Sequence, residues 1–144
     1  MGNRGRTSVK REKLPALMES YLCVLEGRIP ATELRVLLTH GARWSGDWKN
    51  YIEGRDAVCV RIEAWLSTVR DTKIKMIRMT DQGDCVKVDF VAHTTLVNPL
   101  PIPVELPVMG MYMIEDGKLN ELFELGRRYR RKREAVPRND GGSQ

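Results

Sequence analysis

The chain has 144 residues, of which 42% are hydrophobic. That suits one domain with a packed core and leaves little for a second. The net charge of +5 misleads until it is divided by segment: residues 1–13 carry five Lys or Arg against one Glu, residues 127–138 carry seven against one, and the body between them is mildly acidic, with twelve against sixteen. Attraction to nucleic acid or an acidic partner would therefore come from the ends and not from the body.

Leu14, Leu17, Met18, Tyr21, Leu22 and Leu25 recur at three- and four-residue spacing, which predicts a helix from about Val9 to Glu26. Pro15 fits only its first turn, so the firm helix is expected from about Lys13. Glu33 to Thr39 reads as a short second helix capped by Gly41, with His40 favourable beside its end. A short strand over Ala42 to Ser45 follows, then a loop with Trp48 and Tyr51. A third helix, opened by Gly54-Arg55-Asp56-Ala57-Val58, carries Val58, Ile62, Trp65, Leu66 and Val69 on one face to about Arg70.

After Asp71 the period turns toward two. Lys73 to Thr80 alternates imperfectly, so a bulge is expected near Met76, and Asp81-Gln82-Gly83-Asp84 is a turn signal. Val86, Val88, Phe90 and Ala92 then alternate with Lys87, Asp89, Val91 and His93. Asn98 to Pro103 makes a proline-rich tip, and a strand from Val104 to Ile114 turns at Asp116-Gly117 into a last strand, Lys118 to Leu125. Helices followed by an antiparallel meander predict an α+β fold. The expected organisation is a basic, flexible N-terminus (1–13), a single α+β domain (14–128) and a basic, disordered tail (129–144).

Cys23, Cys59 and Cys85 are odd in number, widely spaced and set in apolar stretches, which predicts reduced core thiols and neither a disulfide framework nor a thiol metal site. No apolar run nears the roughly 18 residues of a membrane span, and no signal-like stretch follows the basic start, so a soluble cytoplasmic protein without membrane contact is expected. Arg127 to Arg133, six basic residues in seven, reads as a solvated tail, with phosphate contact or nuclear targeting as the alternatives.

The Gly54-Arg55-Asp56-Ala57-Val58 helix start, the hairpin Gly110-Met111-Tyr112-Met113-Ile114-Glu115-Asp116-Gly117-Lys118-Leu119 and the final strand with Glu124 together resemble the limonene-1,2-epoxide hydrolases and the SnoaL-like polyketide cyclases of the nuclear transport factor 2-like superfamily. The resemblance covers roughly Leu14 to Arg128. It implies a cone-shaped α+β barrel, with three N-terminal helices packed on a curved antiparallel or mixed sheet. It also implies a pocket for a small apolar ligand, no cofactor, and a homodimer formed through the convex sheet face. In the hydrolases an acid on the last strand activates water held by a Tyr and an Asn, while an Arg and a second Asp bind and protonate the epoxide oxygen. Glu124 matches the acid. The Tyr and Asn positions fall at Trp44 and Gly46, and the Arg and second Asp at Phe90 and Ala92. A register shifted by one residue would place Val91 and His93 there instead, since a one-residue slip exchanges the faces of a strand. Val86, Val88, Phe90 and Ala92 form the continuous apolar face, which favours Phe90 as the residue in the cavity.

Glu124 alternates with Leu122, and a carboxylate in apolar surroundings suits general acid or base work. Its structural alternative is an ion pair with Arg43 or Arg127. His93 is a candidate proton shuttle, or else a hydrogen-bonded residue near a strand end. Trp44, Phe90, Ala92, Leu106, Val108, Tyr112 and Leu122 are candidate walls for a terpenoid, steroid or polyketide-like ligand, or ordinary core; Trp48 and Tyr51 are candidates for the pocket mouth. Met109, Met111 and Met113 share a phase that suits the convex face. Two functional classes stay open: an isomerase, cyclase or hydrolase using Glu124, and a non-catalytic ligand-binding or dimeric interaction module.

Overall fold

Pro15 decides where the first helix starts. It takes the extended N-cap conformation (φ −57°, ψ 146°), and helix α1 runs Ala16–Leu25, later than expected; Arg11–Lys13 ahead of it form a separate 3-10 turn. This computed structural model describes residues 11–126 and 130–131. Met18, Tyr21, Leu22, Cys23, Val24 and Leu25 are all buried, so the stripe read from the sequence is the packed face. Glu26, its side chain only 6% exposed, ties the end of α1 to the sheet: it accepts the Ile74 N–H at 2.7 Å and Arg11 Nη1 at 2.9 Å.

The second helix is shorter than its apolar pattern predicted. A 3-10 turn at Ala31–Glu33 leads into α2, Leu34–Leu37, and Leu38 is already extended (φ −109°, ψ 147°) as the first residue of strand β1, Leu38–Ser45. Gly41 and His40 therefore lie inside a strand and not at a helix end. The backbone here gains a ladder partner in β6, Lys118–Gly126, an advantage that local spacing cannot register. β2 is the pair Ile52–Glu53, and α3 spans Arg55–Leu66. α3 stops short of Arg70 because the Ser67 and Thr68 hydroxyls donate to the Ala64 and Trp65 carbonyls at 2.7 Å each, closing the last turn. Val69, expected on that helix, opens β3.

β3 (Val69–Asp81), β4 (Cys85–Leu96) and β5 (Ile102–Glu115) continue the meander into β6. The main path of the sheet is β2-β1-β6-β5-β4-β3, antiparallel throughout except for the parallel pair β1 and β6. The register of β3 against β4 shifts between Met76 and Arg78, where the bulge was expected. The result is an α+β fold of three helices against a curved, mixed and unclosed sheet. Val86, Val88, Phe90 and Ala92 of β4 face the helices and are buried with Tyr112 and Leu122 in the shared core.

A further strand, β7 (Arg130–Arg131), pairs with β5 at Val104 and Glu105, within the segment expected to be disordered. The rest of the basic run, the remainder of the tail and residues 1–10 lie outside the described residues, and with them the expectations of nuclear targeting and phosphate contact. Among the described residues no helix is long and apolar enough to cross a membrane. Cys23, Cys59 and Cys85 are free thiols, the first two buried.

Candidate functional site

Three elements converge on Glu124 of β6. The Tyr21 hydroxyl of α1 and the Tyr112 hydroxyl of β5 both donate to its Oε2 at 2.7 Å, and Trp44 Nε1 of β1 donates to its Oε1 at 2.7 Å. The sheet register explains how they meet. Trp44 stands opposite Leu122 in the parallel β1–β6 pair, and Tyr112 stands opposite Leu122 in the antiparallel β5–β6 pair. Glu124, two residues on, shares their face. Arg43, considered as a partner for Glu124, instead pairs with Glu121 at 3.0 Å.

Two glycines make room for these aromatic rings. A methyl group at Gly46 would lie 2.8 Å from Trp44 Cη2, and one at Gly110 would collide with the Tyr112 phenol. Each glycine is two residues along the strand from the ring it admits, on the same face. Gly46, where the resemblance would place a water-holding Asn, thus leaves space for the indole that reaches the carboxylate.

Glu124 lines a cavity of about 320 Å3. Its walls include Trp44, Phe90, Ala92, Leu106 and Val108, all expected there, together with Leu25, Ile62, Trp65 and Ile74. Tyr21 and Tyr112 are fully buried and lie behind the carboxylate, outside the lining. Burial, and next the adjacent Glu124 charge, push both phenols well above the ordinary tyrosine value, so they stay protonated donors. Oε2 therefore holds its two acceptor positions toward the core, while Oε1 takes one bond, from a residue of the cavity wall. One acceptor position of Oε1 is left without a partner among the described residues.

The other candidates are placed elsewhere. Leu122 is fully buried in the core and does not line the cavity. His93 is on the face of β4 opposite Phe90 and Ala92, with Nδ1 3.8 Å from Glu105 Oε2 across the ladder, so the structure does not bring it to Glu124. Trp48 stacks on Phe123 at 4.6 Å and Tyr51 meets the same ring edge-on, beneath the Arg43 guanidinium. These aromatics sit on the side of β6 away from Glu124, the side that Met109 also occupies, and do not form the pocket mouth.

Sequence reading missed Tyr21, Arg61 and Trp65. Tyr21 was absorbed into an apolar stripe, although a buried phenol always needs an acceptor, and that need was the available signal. Arg61, on α3, borders the cavity with its guanidinium 4.6 Å above the Trp44 ring.

No family model matches the chain, and no curated protein matches it in sequence. Solved structures do match in shape. An LEH-like epoxide hydrolase from M. tuberculosis superposes with a TM-score of 0.65 at 15% identity, covering 78% of this chain and 80% of that one. SalBIII, an epoxide hydrolase/cyclase-like enzyme in pyran ring formation in the polyether salinomycin, gives 0.66 at 16% identity over 77% and 88%. A protein described as a SnoaL-like polyketide cyclase from Shewanella putrefaciens gives 0.70 at 12% identity over 87% and 92%. At such identities the shared property is shape, and the chain has the nuclear transport factor 2-like fold found in LEH-like epoxide hydrolases, SnoaL-like polyketide cyclases and ketosteroid isomerase-like proteins.

Proposed function

We propose that this chain takes a small apolar molecule of terpenoid, steroid or polyketide-like class into its cavity and moves one proton on it with Glu124. The observation that carries this reading is the single open lone pair of Oε1, on a carboxylate held by three donors and facing an otherwise largely apolar chamber of about 320 Å3. That size is at the lower end of ligand pockets, about 300–1,000 Å3. A fixed carboxylate can take a proton from a C–H or O–H of the ligand and return it to a second ligand atom. This is enough for isomerisation or cyclisation, and no water is consumed. Epoxide opening asks for a proton donor across the cavity, where this chain has Phe90 and Ala92, so proton transfer within one ligand is the preferred reaction. Three donors on Glu124 also suit a purely structural anchor; the cavity would then bind without turnover.

The test uses a β,γ-unsaturated ketosteroid and limonene oxide, followed by mass spectrometry in deuterated water. Wild type should wash deuterium into the ketone or shift its double bond, and Glu124→Gln should abolish this while still binding the probe. Turnover that survives Glu124→Gln rules out the catalytic role. Binding with no turnover in wild type leaves the non-catalytic reading.

A further inference from the structure

Arg61 and Glu124 are the two charged residues of the cavity lining. Glu124 is fully engaged apart from one lone pair, whereas Arg61 has no hydrogen-bond or carboxylate partner among the described residues. The positions one turn away on α3 are Ala57, Val58, Ala64 and Trp65, so the helix itself offers no acid to pair with it. Arg61 is exposed at the cavity edge, and its guanidinium lies 4.6 Å above the ring of Trp44, whose Nε1 donates to Glu124. A guanidinium over an aromatic face is attracted by the ring, and none of the Arg61 N–H donors has a partner among the described residues. The Arg61 charge also reaches the floor of the site, where it opposes part of the upward push on the Tyr21 phenol. A preorganised cation with unused donors beside an apolar chamber is a receptor for an oxyanion.

Resting on the pocket reading above, we infer that the ligand is amphipathic: an apolar body carrying a carboxylate that Arg61 holds at the mouth, with the proton-bearing atom inside at Glu124. The two charges, both set against the Trp44 indole, then act on different groups of one molecule. Arg61 fixes which end enters, and keeps the ligand's anion away from the Glu124 carboxylate.

The test compares geranate with methyl geranate, which share one apolar body, by quenching of tryptophan fluorescence at low salt. Wild type should bind geranate about tenfold more tightly than the ester, as one charge-assisted contact implies. Arg61→Gln should erase that preference, while Arg61→Lys keeps part of it. Rising salt should weaken geranate alone. Equal affinities in wild type, or a preference that survives Arg61→Gln, overturns the assignment of Arg61. Val108→Trp, which fills the cavity, separates the two readings. If it abolishes ester binding while no acid preference exists, the pocket stands and only the role of Arg61 falls. If ester binding is indifferent to Val108→Trp, or neither compound binds wild type, the pocket reading falls and this inference with it.

Discussion

Tyr21 and Tyr112 share one acceptor, each hydroxyl lying 2.7 Å from Glu124 Oε2, with their rings 5.6 Å apart and inclined at 58°. Each bond joins a fully buried phenol to a partly buried carboxylate, so Tyr21→Phe and Tyr112→Phe should each cost about 1.5–3 kcal/mol in urea denaturation. The double variant strips Oε2 of both donors and should cost more than the two single losses combined, by at least about 0.5 kcal/mol. Simple additivity would show that the two phenols do not depend on a common oxygen.

The same two phenols should set the alkaline limit of the fold. Their ionisation is pushed well above the ordinary value of about 10 by burial and by the Glu124 charge. A folded-state value raised in this way means that the stability it confers is complete below about pH 10 and drains away as pH rises toward the folded value, since the unfolded chain releases those protons first. Spectrophotometric titration should show Tyr21 and Tyr112 ionising only as the protein unfolds. A single reversible step near pH 10 for every tyrosine, with the fold intact, contradicts the buried arrangement.

Gly46 and Gly110 should refuse even a methyl group. Gly110→Ala meets the Tyr112 phenol and should displace it from Glu124; Gly46→Ala meets the Trp44 indole at the cavity wall. Each overpacking substitution should cost about 1–3 kcal/mol. The two differ in a second readout: Gly46→Ala should perturb tryptophan emission and ligand binding, whereas Gly110→Ala should release a phenol that titrates at lower pH.

Asp47 governs the loop that carries Trp48. Its carboxylate accepts the Asn50 and Lys49 amides at 2.8 and 2.9 Å, and those backbone bonds hold it well below the usual carboxylate range. A depressed folded value means that its contribution is present above about pH 4 and is lost as pH falls through the folded value. Amide exchange at Lys49 and Asn50 should accelerate in Asp47→Ala, and in wild type under strongly acidic conditions. Unchanged protection in the variant would assign the loop's order to the stacking of Trp48 on Phe123 instead.

These relationships differ in how plainly the sequence announced them. The alternation of Val86, Val88, Phe90 and Ala92 predicted a buried strand face and its orientation, because a period of two has few other meanings. Leu34, Leu37 and Leu38 misled about the second helix, since apolar residues at that spacing serve a helix or a helix-to-strand junction equally well, and the choice depends on β6, distant in the chain. Glu124 stood out through its place after the last hairpin. Its supporting donors did not, because Tyr21 and Tyr112 occupy positions that any large apolar residue would fill. Arg61 gave no signal in the sequence, and only its position above Trp44 gives it a meaning.

The parallel pairing of β1 with β6 has a consequence for biosynthesis. Trp44 finds Glu124 only after nearly the whole domain has left the ribosome, because the strand bearing the acid is the last of the main sheet to be made. Until then the phenols of Tyr21 and Tyr112 have no carboxylate to serve, and β1 lacks its parallel neighbour. Such long-range closure is slow compared with local hairpins. A nascent chain halted before residue 118 would lack both the carboxylate and the strand that joins β1 to the rest of the sheet, so the chamber should assemble in one late step of synthesis.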